Sequence, residues 1–372
     1  MNDTKVLIIA EIGTSHGGSL DKAKRLADVA AEAGADCIKF QWVYADEILH
    51  PNTGYVNLPG GKIRLYDRFK ELEMPPSFFE TMRNYVRSLG KSFMCSPFGI
   101  RSAEELFALQ PDYIKVASPE LNHFPMLKKL CALETSLSEK KQIPLVLSSG
   151  VSKMEDIKKA FEVFKPLKKL SLLHCITSYP APPEEYNLSL ISLYAKKFGI
   201  DTGVSDHSLD PRIVPVMAAV CGARLIEKHI TLSRTTGGLD DPVALPPDLF
   251  SDMVQSVRRY EKMPPEKALE EAQTEFGEEL CQKVIGNGVK ELAPSEKANY
   301  GRTNRSIHFM HDMKKGDVIR EKDIGVLRTE KELSVGISPE YYERVIGLKI
   351  SKNVKAGEGL QWIHTERGVS PL

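Results

Sequence analysis

The chain has 372 residues, 42% of them hydrophobic, with 50 Lys plus Arg against 50 Asp plus Glu. That length buries a full core and exceeds the roughly 250 residues of a (β/α)8 barrel by about one small domain. Balanced charge gives no global field toward nucleic acid or an anionic membrane, so neither is an expected partner and anion selectivity must be local.

Eight apolar β-type runs fill the first 231 residues, at 6–12, 37–43, 92–98, 113–118, 144–150, 170–176, 202–208 and 225–231. Most are near-continuous rather than alternating, as expected of parallel strands buried on both faces. Between them, residues 19–35, 76–89, 102–110, 152–164, 188–198, 211–222 and 247–260 have helical spacing, and 121–140 is a poorer helix. Ser19, and Ser152 three residues before Glu155, are predicted caps. Strand, cap, helix, strand is the βαβ rhythm, and eight repeats of it predict an α/β fold, a (β/α)8 barrel.

Two stretches break the rhythm. Residues 44–75, with Pro51, Gly54 and Pro59-Gly60-Gly61, are too long for an ordinary barrel loop and are a candidate lid. Residues 261–300, rich in Pro, Glu and Lys, are expected to form an irregular interdomain linker. Beyond them, residues 313–319 and 354–360 echo each other at an offset of 41, which predicts a small β-rich module with internal pseudo-symmetry. The predicted division is a barrel over 1–262, a linker over 263–300 and a terminal module over 301–372.

Six cysteines form no CxxC pair, and Cys37, Cys95 and Cys175 fall inside predicted strands as small buried hydrophobes. The first run starts by residue 6 without a charged and apolar leader, and no run reaches the ~18 apolar residues of a membrane span. The expected setting is soluble, reducing and cytoplasmic.

Each run stops at polar or charged residues: Glu11; Lys39 and Gln41; Ser96; Lys115, Ser118 and Glu120; Ser148; Tyr179; Ser205 and His207; His229. In a barrel these ends share one rim, where active sites are built. His207 and His229, on neighbouring strands, are a partial ligand set for a divalent metal, or else one ligand and one rim histidine. Lys39 and Lys115 lie in apolar strands, where an unpaired ammonium costs too much, so each needs an anion. Phosphate or carboxylate is the natural guest; a Schiff-base lysine or a structural ion pair is the alternative. Strand parity puts Glu227 and His229 on one face and Lys228 on the other, which excludes Lys228 from the site. Glu11 and Glu120 are the carboxylates placed for proton handling or for gripping hydroxyls, and either could instead merely neutralise Lys39 or Lys115. The role of His16 is open, and the Gly237–Asp241 stretch is either a plain turn or an arm over the site.

These residues resemble the sialic acid synthase (N-acetylneuraminate synthase) family over nearly the whole chain. The motifs are Ala10-Glu11-Ile12-Gly13 with His16-Gly17, Lys39 with Gln41, Lys115 with Ser118 and Glu120, Leu147-Ser148-Ser149-Gly150, Ser205-Asp206-His207 and Glu227-Lys228-His229. The resemblance implies a TIM barrel followed by an antifreeze-like (β-clip, SAF) domain, in dimers that exchange these domains. It implies condensation of phosphoenolpyruvate with an N-acyl amino sugar of the N-acetylmannosamine type, giving a nonulosonic acid and phosphate. Lys39, Ser96, Lys115, Ser118, Ser148 and Ser205 would hold phosphate and carboxylate. Mn2+ or Mg2+ would sit on His207 and His229. Glu120 would transfer a proton, with Glu11 and Lys115 beside it in the catalytic set. Glu11, Gln41, Thr177, Tyr179, Asp240 and Arg328 would face the sugar. Ser15, Thr177, residues 240–244, Arg302 and Thr329-Glu330 depart from the family pattern, mostly on the sugar side. The rival readings are a metal-free Schiff-base pyruvate aldolase and a non-catalytic carbohydrate-binding scaffold.

Overall fold

The computed structural model describes residues 5–58, 61–235, 237–330 and 332–368; Pro59 and Gly60 of the glycine-rich cluster lie outside them. In chain order the strands are β1 (Leu7–Gly13), β2 (Cys37–Trp42), β3 (Tyr55–Leu58), β4 (Gly61–Arg64), β5 (Ser92–Pro97), β6 (Tyr113–Val116), β7 (Leu145–Ser148), β8 (Leu170–Cys175), β9 (Asp201–Asp206), β10 (Leu225–His229), β11 (Arg305–Phe309) and β12 (Ile324–Arg328). Among the described residues eight of these close a parallel barrel in the order β1-β10-β9-β8-β7-β6-β5-β2, as the apolar runs predict. The helices between them turn one face inward. Leu26, Ala27 and Ala30, with Phe79, Met82 and Val86, join a single core around the barrel. Full burial of such a leucine, methionine or phenylalanine contributes about 1.5–3 kcal/mol. Gly203 has no alternative: a Cβ there would strike the Leu225 carbonyl and push β9 off β10.

Ser19 caps its helix, accepting from Lys22 N–H at 3.2 Å. Ser152 does not: the next helix, Met154–Phe164, takes Lys153 as its cap, and Asp156 accepts from Lys153 N–H at 2.8 Å. Ser152 Oγ donates instead to the Gly150 carbonyl, tightening the turn after β7.

The irregular linker is corrected. Residues 265–285 form two helices, Pro265–Phe276 and Glu278–Ile285, whose Ala268, Ala272, Cys281 and Val284 join the barrel core. Proline stands at the first helical position, where its missing N–H costs nothing, and the Glu and Lys cover the solvent face. The described part of the 44–75 insertion is also ordered, as helices Ala45–Ile48 and Leu65–Glu71 with the β3–β4 hairpin. It is wedged beneath the terminal domain rather than free above the rim. Leu49 bridges Arg328, Asn52 Nδ2 donates to the Ala356 carbonyl, and Glu332 N–H donates to the Thr53 carbonyl.

The terminal domain pairs β11 with β12 over its own core of Ile307, Phe309, Ile319, Ile350, Val354 and Leu360. The two echoes meet there: Met313 and Val354 bridge each other, Gly316 and Gly357 turn at φ +93° and +85°, and Ile319 and Leu360 are both buried. No described helix is long and apolar enough to cross a membrane.

Candidate active site

Strand parity builds the site. Alternate residues face the barrel interior, and its floor is the apolar cluster Ile9, Cys37, Met94, Val146, Leu173 and Leu225. Two residues further along the same strands come Glu11, Lys39, Ser96, Ser148, Cys175 and Glu227. Hydrocarbon thus gives way to charge within about 7 Å. Lys115 on β6 and Ser205 on β9 join this layer, and His229 closes β10 one inward position higher.

The charged layer is a compact network. Lys39 Nζ contacts the Glu11 carboxylate and lies 3.5 Å from Glu227 Oε1. Lys115 Nζ donates to Ser148 Oγ at 2.7 Å and lies 4.0 Å from Glu227 Oε2. Ser205 Oγ donates to Glu227 Oε1 at 3.0 Å, and Gln41 Nε2 donates to Glu11 at 3.5 Å. Glu11 is also held by Gly13 N–H at 2.5 Å, from the rim end of its own strand. The register shift between β1 and β2, with Gly13 at φ +57°, brings that amide round. Burial opposes the charge on Glu227, but the Lys115 and Lys39 ammoniums outweigh it and hold the carboxyl well below its usual range. Burial pushes Lys39 down to about 8, against the pull of Glu227.

Two buried hydroxyls of the site, Ser96 Oγ and Thr177 Oγ1, have no hydrogen-bond partner among the described residues. Unmade buried bonds cost ~1–3 kcal/mol each, so a polar guest that satisfies them is stabilised by the site. Ser118 Oγ accepts from Gly150 N–H at 3.0 Å, and a Cβ on Gly150 would collide with Thr177 Oγ1 and Ser118 Oγ.

The imidazoles of His207 and His229 have ring centroids 5.5 Å apart, and the half-exposed Tyr179 stacks on His207 at 4.1 Å. His207 Nδ1 donates to the Ile176 carbonyl at 2.8 Å, which leaves Nε2 its lone pair. His229 Nδ1 lies 3.8 Å from Asp240 Oδ2. Burial, then the nearby His207 and Lys39 charges, push His229 well below the usual imidazole range, toward the neutral form a metal requires. At His207 burial is outweighed by Cys175 and the Ile176 carbonyl, so its value rises and a proton competes for that nitrogen. The pair fits a divalent cation as a partial ligand set. Among the described residues no group of three or more His, Cys, Asp or Glu is placed to hold an ion, so water or substrate oxygens would complete the shell.

The terminal domain reaches the same rim. Glu120 Oε1 accepts from Arg305 Nη2 and from Arg328 Nη2, each at 2.8 Å, while its Oε2 is buried without a partner. Arg305 also donates to the carbonyls of Glu47, Phe98 and Val326. Glu120, expected to move a proton, is therefore first an anchor for two guanidiniums. Arg328 makes this contact within its own chain.

The structure brings the predicted residues to one end of the barrel, with Arg328 arriving from the terminal domain. Lys228 faces outward as parity requires, its Nζ donating to Asp206 at 2.6 Å. His16 shapes its loop by accepting from Gly18 N–H at 3.1 Å. The Gly237–Asp241 stretch is an arm over the site: Ser15 Oγ donates to Asp241 at 2.7 Å, which holds Asp240 beside His229. Arg302 is tied to the Glu330 carbonyl. Sequence reasoning missed Glu227 and Arg305. The parity that groups Glu227 with His229 also points it at the two lysines, so that signal was present. Arg305 carries no local pattern, because its partners, the Glu120 carboxylate and several backbone carbonyls, are brought together only by the fold.

A closed parallel barrel with its charged layer at the strand C-termini, joined by a small β-domain that inserts an arginine at the rim, defines a (β/α)8-barrel enzyme. The chain belongs to the NeuB family, which matches residues 26–268, and residues 304–364 match the SAF domain. It is similar to the spore coat polysaccharide biosynthesis protein SpsE of Bacillus subtilis, 31% identical over 97% of this chain and 93% of that one. The crystal structure of that protein superposes with a TM-score of 0.80, covering 98% and 96% of the two chains at 30% identity. The N,N'-diacetyllegionaminic acid synthase of Legionella pneumophila is 31% identical over 96% of this chain and 94% of its own. The pseudaminic acid synthase of Campylobacter jejuni is 31% identical over 96% of each. The resemblance read from the motifs and the barrel with a SAF domain are thus borne out.

Proposed function

We propose that this chain is a nonulosonic acid synthase, condensing phosphoenolpyruvate with an N-acyl amino sugar of the N-acetylmannosamine type. The single observation that carries the reading is the convergence of Lys39, Lys115 and the rim hydroxyls beneath the His207–His229 pair. Anion binders and an electrophile-binding set face each other there. The names of the relatives, which include legionaminic and pseudaminic acid synthases, support the same chemistry.

In this reading Lys115, whose nearest carboxylate is 4.0 Å away, makes the first contact with the donor. Ser118 and Ser148, with Ser96 and Ser205 beside Lys39, hold its phosphate and carboxylate. Glu11, Gln41, Tyr179, Asp240 and Arg328 orient the open-chain sugar, while Thr177 Oγ1, set against Gly150 beside Ser118 Oγ, is assigned to the donor instead. The donor C3 forms a bond to the aldehyde carbon; water adds at the cationic C2 and gives up one proton, which the former aldehyde oxygen gains, and the C2–O bond to phosphate then breaks, phosphate leaving with the second water proton as C2 becomes the ketone. We assign the proton transfer to the unpartnered Oε2 of Glu120. Mn2+ or Mg2+ held by His207 and His229 would supply Lewis-acid polarisation of the aldehyde.

The test is phosphate release from phosphoenolpyruvate with a panel of N-acyl amino sugars. Sugar-dependent release supports the reading; none with any sugar sinks it. The depressed value of Lys39 favours one rival, a Schiff-base aldolase. Borohydride trapping of pyruvate on a lysine, with activity indifferent to chelator, would select it.

The Lys39 value also fixes a pH dependence. Glu11, Glu227, Lys115 and Cys95 surround this ammonium, and with its value near 8 it loses its proton as pH rises past that point. A neutral amine no longer attracts an anion. The expected kcat/KM for the donor falls about tenfold per pH unit above roughly 8, whereas a flat profile to pH 9.5 contradicts the donor role of Lys39.

A homodimer that exchanges terminal domains is part of the proposal, as is a cytoplasmic setting, in keeping with six unpaired cysteines. Set against the Arg328–Glu120 contact made within one chain, the exchange is supported if mixed Arg328→Ala and Glu120→Ala chains recover about half a site per dimer by cross-subunit supply. No recovery favours a site completed within one chain.

A further inference from the structure

Just after β7 the chain turns at Val151, which is wholly buried and sits at φ +42°, a left-handed conformation that β-branched residues rarely adopt. Such a conformation persists only where the surroundings over-determine it. One distant segment does so here. Val151 N–H donates to Glu296 Oε2, and its carbonyl accepts from Asn304 Nδ2, both at 2.9 Å. The same segment holds the end of β8 in the same way. Thr177 N–H donates to that same Glu296 oxygen, and the Thr177 carbonyl accepts from Asn299 Nδ2, again at 2.9 Å each.

Glu296 is fully buried. Its other oxygen accepts from Ala293 N–H at 3.2 Å and faces the Lys290 ammonium at 3.9 Å. Between the two clamped peptides lies Gly150, bonded to Ser118 Oγ and pressed against Thr177 Oγ1. Glu296 and Asn299 lie between the residues matched by the NeuB family and those matched by the SAF domain.

We propose that Glu296, with Asn299 and Asn304, is the positioning clamp of the donor half of the site. It sets the turn after β7 and the end of β8, so that Ser118, Ser148 and Thr177 present their hydroxyls to the anionic donor. Glu296 touches no reacting atom; it acts through Val151 and Thr177. The inference rests on the phosphoenolpyruvate reading given above.

Steady-state kinetics of Glu296→Ala test it. The expected result is a donor KM raised about tenfold, with the sugar KM changed less than about twofold. Glu296→Gln keeps one carbonyl oxygen for both amides and is expected to restore most of the loss. A kcat reduced in proportion to the folded fraction, with both KM values unchanged, would mean a purely structural role and overturn the proposal. Should Glu296→Ala not fold, Asn304→Ala, which frees only the Val151 carbonyl, decides by the same split. Should the unaltered chain turn over no sugar, the reaction reading fails separately. Calorimetric titration with phosphoenolpyruvate then decides for the clamp: about tenfold weaker binding in the variant supports it, and equal affinity refutes it.

Discussion

Replacing His229 with alanine is expected to lower kcat by about 10^3-fold or more and to remove bound manganese, with the fold intact. The size follows from what the imidazole does. It stands at the end of β10, buried and biased toward the neutral form, 5.5 Å between centroids from His207 and beside Asp240. With a divalent ion on the two rings, as proposed, removing one leaves a single imidazole that would hold the ion weakly, so polarisation of the aldehyde would be lost rather than weakened. The apolar floor is untouched, because His229 stands two inward positions above Leu225. Turnover measured alongside metal content by elemental analysis checks this. Unchanged rate with unchanged metal content would take the metal role away from His229.

The second large effect belongs to Glu227→Gln, and it falls on stability. This carboxylate lies 3.5 Å from Lys39, 4.0 Å from Lys115 and 3.0 Å from Ser205 Oγ, all buried. Lys39 keeps Glu11, but Lys115 retains no other acidic partner closer than 4 Å among the described residues. Removing one member of a buried ion pair costs about 3–5 kcal/mol, because the remaining charge stays desolvated. The amide preserves shape, so the loss isolates charge from volume. Urea denaturation of both forms measures it. The expected midpoint shift is large without donor and smaller with saturating phosphoenolpyruvate, whose negative charge replaces the missing one. An unchanged midpoint would show that Glu227 does not neutralise the lysines.

Much of this arrangement was legible in the residues. The barrel followed from eight near-continuous apolar runs, because a parallel strand buried on both faces has no polar alternation to disguise it. The site followed from where each run stopped, since a period of two fixes which side chains share the interior. The terminal domain followed from its echo, where Gly316 and Gly357 both need left-handed turns. What escaped depends on tertiary contact. Residues 265–285 looked like a linker because Pro, Glu and Lys dominate them, yet four small or apolar residues at helical spacing bury against the barrel. The 44–75 insertion looked free because its partners, Arg328, Ala356 and Glu332, come from nearly 300 residues away. Arg305 and Glu296 escaped for the same reason. Each bonds mainly to backbone groups, and no side-chain pattern advertises a backbone partner.

The central claim is that buried ammoniums and a pair of imidazoles open into one cavity where an anionic donor meets an electrophile. Diffraction from crystals soaked with phosphoenolpyruvate and Mn2+ tests it most directly. The account predicts donor density on Lys39, Lys115, Ser118 and Ser148, with an anomalous manganese peak between His207 and His229. Manganese bound elsewhere, or donor density away from the two lysines, would contradict it.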